Sequence, residues 1–128
     1  MTEPVLVCAA WPYANAEIHA GNLAGSYLPA DIFARYQRLR GRDVVMVSGS
    51  DAHGTPITVR ADAENSSALE VYRRFHDSFL DLFVKTGLTY DLFTSTHTEN
   101  HFNVSQKLFM ALKLNGFLYQ DRQYQWYS

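Results

Sequence analysis

Residues 4–22 read PVLVCAAWPYANAEIHAGN, a nearly all-apolar run followed by a dozen positions that hold a Pro, two Asn, a His and a Gly. The run Pro4–Ala10 suits a strand buried on both faces of a parallel sheet. The turn-rich stretch behind it is the kind of segment that hands a strand over to a helix. Asp43–Ser48 (DVVMVS) repeats the apolar run. Between the two, residues 22–40 read helical, with Leu28, Ile32, Tyr36 and Leu39 spaced for one buried face. Gly41 falls where a left-handed cap belongs, and Pro29 predicts a bend or a broken turn. Strand, helix, strand in this order is the right-handed crossover unit. The fold class that follows is α/β, a Rossmann-like parallel sheet with flanking helices.

Further along, Ser67 and Glu70 form a capping box ahead of Tyr72, Phe75, Phe79 and Phe83, and Gly87 stops that helix. Thr96 with Glu99 reads as a second box, followed by Val104, Leu108, Ala111 and Leu112 and ended by Gly116. Both helices are expected to be amphipathic and to pack in the core. Asp91–Ser95 reads as a third strand and Phe117–Tyr119 as a weaker fourth. There is no internal repeat, low-complexity tract or linker, so residues 1–128 are expected to form one unit.

Bulk properties narrow the function. With 47% apolar and 14% aromatic residues in 128, the chain is globular and large enough for a real core. A formal charge of −2 and scattered Lys and Arg give no general electrostatic grip on nucleic acid. The single cysteine, Cys8, can build neither a disulfide framework nor a cysteine zinc site alone. The N-terminus lacks the regions of a signal peptide, and no run reaches the roughly 18 apolar residues of a membrane span, so the expected location is cytoplasmic.

In open parallel sheets, ligands collect outside the carboxyl ends of the strands. Two unusual loops belong at that edge: Trp11–Asn22, and GSDAHGTP at Gly49–Pro56. A helix starting near Gly21 directs unpaired N–H groups and a partial positive charge outward, which favours phosphate. Gly21 removes the side chain that would hold a nucleotide off, while His19 and Asn22 can donate to phosphoryl oxygens. Asp51, at a strand end, suits a cation, most simply a substrate ammonium group. His19 and Asp51 are expected to face one pocket. The chain carries no GxGxxG, and the glycine spacing of Gly49–Gly54 is followed by Thr55 where a P-loop needs Lys.

PYANAEIHAGN followed by GSDAHGTP resembles the catalytic domain of class I aminoacyl-tRNA synthetases and, within them, the methionyl-tRNA synthetase family. His19-Ala20-Gly21-Asn22 matches the signature written HIGH, and Ala30–Gly41 is similar to the helix that follows it. Synthetases for leucine, isoleucine and valine share a similar first loop but not SDAHGTP. The resemblance implies a methionine-tRNA ligase: methionine carboxylate attacks the α-phosphorus of ATP, brought with Mg2+, and the adenylate is transferred to tRNA(Met). It implies His19 and Asn22 as catalytic phosphate stabilisers, with Asn15 and Gly21 joining them in the ATP site. Trp11, Tyr13 and Asp51 would contact methionine, and His53 is a further residue of the site loop. Asn22 stands where many members have His; an amide still donates a hydrogen bond but carries no proton charge. The family's KMSKS signature, zinc-bearing insertion and anticodon-binding domain are not in this sequence, so the chain corresponds to the first half of a split nucleotide-binding fold, and zinc is expected only in the remainder. Such a half is expected to be inactive alone and to expose apolar surface through which it self-associates.

Duller readings stand beside these. His19 could be an ordinary loop histidine, Asp51 a helix cap, Tyr13 a packing residue, and the glycines turn residues. His97 and His101, at i and i+4, could share a metal, though surface or capping roles fit them better. His76 reads as lying on an exposed helix face. The alternatives to a synthetase are another HxGH-type nucleotidyl transferase and a noncatalytic truncated paralogue that binds an amino acid, a nucleotide or a protein partner.

Overall fold

The structure is a computed structural model and describes residues 3–124. It divides into two compact units, Met1–His97 and Thr98–Ser128. The first contains β1 (Val5–Cys8), α1 (Ala20–Asn22), a π-helical segment (Leu23–Tyr27), α2 (Leu28–Leu39), β2 (Val44–Ser50), α3 (Thr55–Glu64), α4 (Ala68–Thr86) and β3 (Leu92–Ser95). The three strands form one parallel sheet in the order β1-β2-β3, with Val5 opposite Val44 and Val47 opposite Leu92. Each connection is thus a helical crossover, and the α/β class read from the sequence holds.

Pro29 acts as the sequence anticipated, but upstream of itself. Lacking an N–H, it cannot bond the carbonyl one turn back, and the residues before it shift to i→i+5 pairing, with Leu28 N–H donating to Leu23 O. The helical path from Ala20 to Leu39 is therefore continuous, with a widened turn in its middle.

The buried face of α2 differs from the expected one. Asp31, Ala34 and Gln37 are buried, whereas Ile32 and Leu39 are 63% and 87% exposed and Tyr36 is exposed as well. Ala34 packs with Val7, Val44 and Met46 beneath the sheet. Asp31, 4% exposed, is held by hydrogen bonds from the Thr89 N–H (2.7 Å) and hydroxyl and by Arg35 Nε at 2.6 Å. Arg38 adds bonds to Thr89 Oγ1 and to Asp91 Oδ2, which also receives the Met46 N–H. This polar clamp fixes α2 to the α4–β3 connection, and it required the polar edge of the helix to face inward.

On the other face of the sheet α4 behaves as its pattern says. Ser67 and Glu70 form the reciprocal box, Gly87 ends the helix at φ 67°, and Val71, Tyr72, Phe75, Phe79 and Phe83 are buried. Phe83 is the hub, with ring centroids 5.3 Å from Tyr27, 5.2 Å from Tyr90 and 5.1 Å from Phe93. Each such ring contributes roughly 1.5–3 kcal/mol by burial. Helix α3, which the sequence reading did not anticipate beyond a loop ending at Pro56, begins at Thr55 with Pro56 in its first turn and buries Ile57 and Ala61.

The second unit contains α5 (Glu99–Leu114). Its cap is Thr98, whose hydroxyl accepts the His101 N–H, and the expected Thr96–Glu99 box does not form because the chain is still leaving β3 at Thr96. None of its residues is buried, and Leu108 is 61% exposed, so the expected core face is uncovered among the described residues. Residues 117–119 are not a strand.

Candidate active site

Three consecutive small residues near the end of β2 build the site. Ser48 is buried and its Oγ lies 3.2 Å from the carbonyl oxygens of both Ala9 and Ala10, which fixes where the first loop leaves β1. Gly49 is the bed of the Trp11 indole: a Cβ there would stand 2.7 Å from the ring and 2.8 Å from the Thr94 carbonyl. Ser50 is fully buried, and its hydroxyl shares a 2.7 Å hydrogen bond with His76 Nδ1. Directly beyond, the loops zip together, with Asp51 N–H donating to Pro12 O at 2.8 Å and Ala14 N–H to Asp51 O at 2.9 Å. Tyr13, opposite Asp51 in this bridge, lays its ring edge against Gly54.

The first loop frames a cleft of about 390 Å³, within the range of small-molecule sites. Its lining includes Trp11, Tyr13, Asn15, His19, Asn22 and Tyr27. At its lip His19 caps the helix: Asn22 N–H donates to His19 Nδ1 at 3.2 Å, and His19 N–H donates to Asn22 Oδ1 at 3.3 Å. The reciprocal bonds orient both side chains. With Nδ1 accepting, the neutral imidazole carries its proton on Nε2, and with Oδ1 accepting, the Asn22 amide is left with its Nδ2 donors. The cap therefore leaves donors beside the positive end of a helix, which is suited to stabilising phosphoryl oxygens. Gly21 lies close under this cap: a Cβ there would stand 3.0 Å from the His19 ring, which would have to shift by a few tenths of an ångström. Burial pushes the Tyr27 phenol up, so it stays protonated at the cleft's base.

The second loop is short. Asp51, half-buried, accepts the His53 N–H (3.1 Å) and the Thr96 hydroxyl (3.3 Å) on Oδ1. Its backbone joins the first loop, while its carboxylate is not among the groups lining the His19 cleft. His53 opens instead onto a smaller cavity of about 220 Å³ with Ala52, Leu69, Tyr72 and His97.

The structure thus brings Trp11, Tyr13, Asn15, His19 and Asn22 to one cleft, with Gly21 in the adjoining helical turn and Asp51 on the neighbouring ladder. One histidine sits elsewhere than expected, and one expected pairing of histidines on a helix does not form. His76 is not on an exposed face: it is half-buried, stacks on Phe93 and bonds Ser50, and burial lowers its pKa despite the opposing charge of Asp77. His97 precedes α5, so it does not share a helix face with His101; its ring lies 5.2 Å from Tyr72, while His101 pairs with Ser105. Sequence reasoning passed over Ser48 and Ser50, read Thr96 as a helix cap and took Gly49 for a turn residue. The available signal was the switch from VVMV to three small residues inside one run.

A three-stranded parallel sheet with helical crossovers, whose first crossover begins at a capping His and Asn beside a ligand-sized cleft, has the architecture of class I aminoacyl-tRNA synthetase catalytic domains. The family model described as tRNA synthetases class I (M) matches residues 5–128, and the chain belongs to that family. It is 54% identical over 121 residues to a methionine–tRNA ligase of Roseiflexus sp. (strain RS-1), covering 94% of this chain and 20% of the relative. It is 52% identical over 127 residues to that of Thermomicrobium roseum, covering 99% and 22%. Among solved structures, Mycobacterium tuberculosis methionyl-tRNA synthetase in complex with methionyl-adenylate superposes with a TM-score of 0.84 at 29% identity, over 90% of this chain and 22% of that one. An Agrobacterium radiobacter K84 LeuRS, from a ternary complex with tRNA and LeuAMS, gives 0.86 at 26% identity, over 91% and 15%. The chain spans about a fifth of the length of the curated relatives it matches.

Proposed function

We propose that this chain is the N-terminal half of the catalytic nucleotide-binding domain of a methionine–tRNA ligase, which activates methionine with ATP and transfers it to tRNA(Met). The carboxylate oxygen of methionine attacks the α-phosphorus, the bond to the bridging oxygen breaks, and pyrophosphate leaves with that electron pair. Chemistry of this kind needs aligned reactants and charge stabilisation more than a covalent catalyst. His19 Nε2–H and Asn22 Nδ2 supply donors to the phosphates, Asn15 supports them, and Gly21 admits the nucleotide. Trp11 and Tyr13 wall the amino-acid side, and Asp51 receives the methionine ammonium, with His53 in the same short loop. Magnesium would enter with ATP, since the described residues contain no cluster of three metal-ligating side chains.

The observation that supports this reading most is the backbone ladder between Pro12–Ala14 and Asp51, which joins the loop carrying His19 and Asn22 to the loop carrying Asp51 at one sheet edge. Methionine-dependent ATP–pyrophosphate exchange by the full-length protein is the test. Exchange with methionine and little with leucine is expected; binding of methionine or ATP without exchange would favour a noncatalytic paralogue.

A further inference from the structure

Thr96 sits 45 residues from Asp51 in sequence, yet its side chain completes the surroundings of that carboxylate. Its backbone N–H donates to Ser50 O at 3.1 Å, continuing the β2–β3 ladder by one rung, so the residue is held by the sheet. Its hydroxyl accepts the Ala52 N–H at 2.8 Å. A hydroxyl occupied in this way as an acceptor directs its own proton to another acceptor. The one at hand is Asp51 Oδ1, at 3.3 Å, which the His53 N–H also reaches at 3.1 Å. Oδ1 thereby has two donors from the protein. Oδ2 has no hydrogen-bond donor among the described residues, and Asp51 takes part in no ion pair with them. One oxygen is braced and the other is left open to a cation.

We propose that Thr96 is a positioning residue for amino-acid recognition: its hydroxyl locks the Asp51 side chain so that Oδ2 is presented to the substrate ammonium group. This rests on the reading of Asp51 given under the proposed function. The lock acts on binding of the amino acid, because the phosphate donors His19 and Asn22 belong to a different, locally capped loop.

The test is steady-state ATP–pyrophosphate exchange by the full-length enzyme carrying Thr96→Val, Thr96→Ser or Asp51→Asn. Thr96→Val is expected to raise KM for methionine about tenfold, the worth of one hydrogen bond to a charged group. Its kcat and KM for ATP should stay within about twofold of wild type, and Thr96→Ser should restore the methionine KM. In an Asp51→Asn background Thr96→Val should add little, since the group it positions is gone. Should the valine variant not fold, Thr96→Ala gives the same readout. A methionine KM unmoved by Thr96→Val or Thr96→Ala, or a rise that serine does not repair, overturns the proposal while leaving Asp51 as the ammonium partner. An Asp51→Asn enzyme with an unchanged methionine KM overturns the reading of Asp51 itself, and the Thr96 proposal with it.

Discussion

The two loops at the rim of the sheet are built on different principles. The first, residues 9–22, is long and reaches its working geometry through partners close in sequence: His19 and Asn22 orient each other across a single helical turn. The second, residues 51–54, is short, and its carboxylate is oriented by a hydroxyl that arrives on another strand. A locally braced loop can be read from its own residues. A remotely braced one depends on strand order and register, which no short motif carries.

The contrast predicts separable effects. The largest is expected for His19→Ala in the full-length protein: methionine activation should fall about 10²-fold or more, the usual loss for one well-aimed donor, with KM for methionine changed little. Parallel loss of methionine affinity would mean that the loops do not work apart. Gly49→Ala should strike both, because the Trp11 indole and the Thr94 carbonyl occupy the space a methyl group needs. The expected cost is about 1–3 kcal/mol in denaturant unfolding, typical of overpacking, together with weaker methionine binding. Asn22→Ala removes the acceptor of the His19 N–H together with a proposed phosphate donor, and should cost about 0.5–1 kcal/mol of stability and slow methionine activation while leaving the methionine KM unchanged.

The smallest effect should appear in the pH dependence of stability. Burial against Tyr72, Phe93 and Ser50 lowers the His76 pKa below its ordinary value near 6.5, with Asp77 opposing. The unfolded chain then takes up the proton first as pH falls, so this contribution is intact above about pH 6.5 and declines below it, until the folded imidazole also titrates. His76→Gln should flatten stability across that window. A wild-type curve already flat there would count against a buried, neutral His76.

Helices α2 and α4 show how far patterning alone can be trusted. In α4 the aromatic stripe is buried as its spacing indicates, because it faces a continuous apolar layer that includes Ala9, Ala14 and Tyr27 and the Ile57 and Ala61 of α3. In α2 the apolar stripe of Ile32, Tyr36 and Leu39 is exposed and the polar edge is inside. The reason lies in Thr89, Arg35 and Arg38: burial alone would raise the Asp31 carboxyl, but the Thr89 bonds and the Arg35 guanidinium outweigh it and hold the pKa below the usual aspartate value. Periodicity scores hydrophobicity and is blind to a carboxylate whose partner Thr89 lies 58 residues away. The same blindness turned Thr96 into an expected helix cap and set His76 on the surface.

The amino-acid sequence by itself determined the strand–helix–strand order, the capping residues of α4, the HAGN helix start and the family. Each depends on interactions within a few residues or on a motif that survives being read as a string. Only the tertiary structure decided which face of α2 is inside, what Gly49 accommodates, and which hydroxyl braces Asp51. Those outcomes depend on which strands become neighbours and in what register, and that is fixed by the packing of the whole sheet.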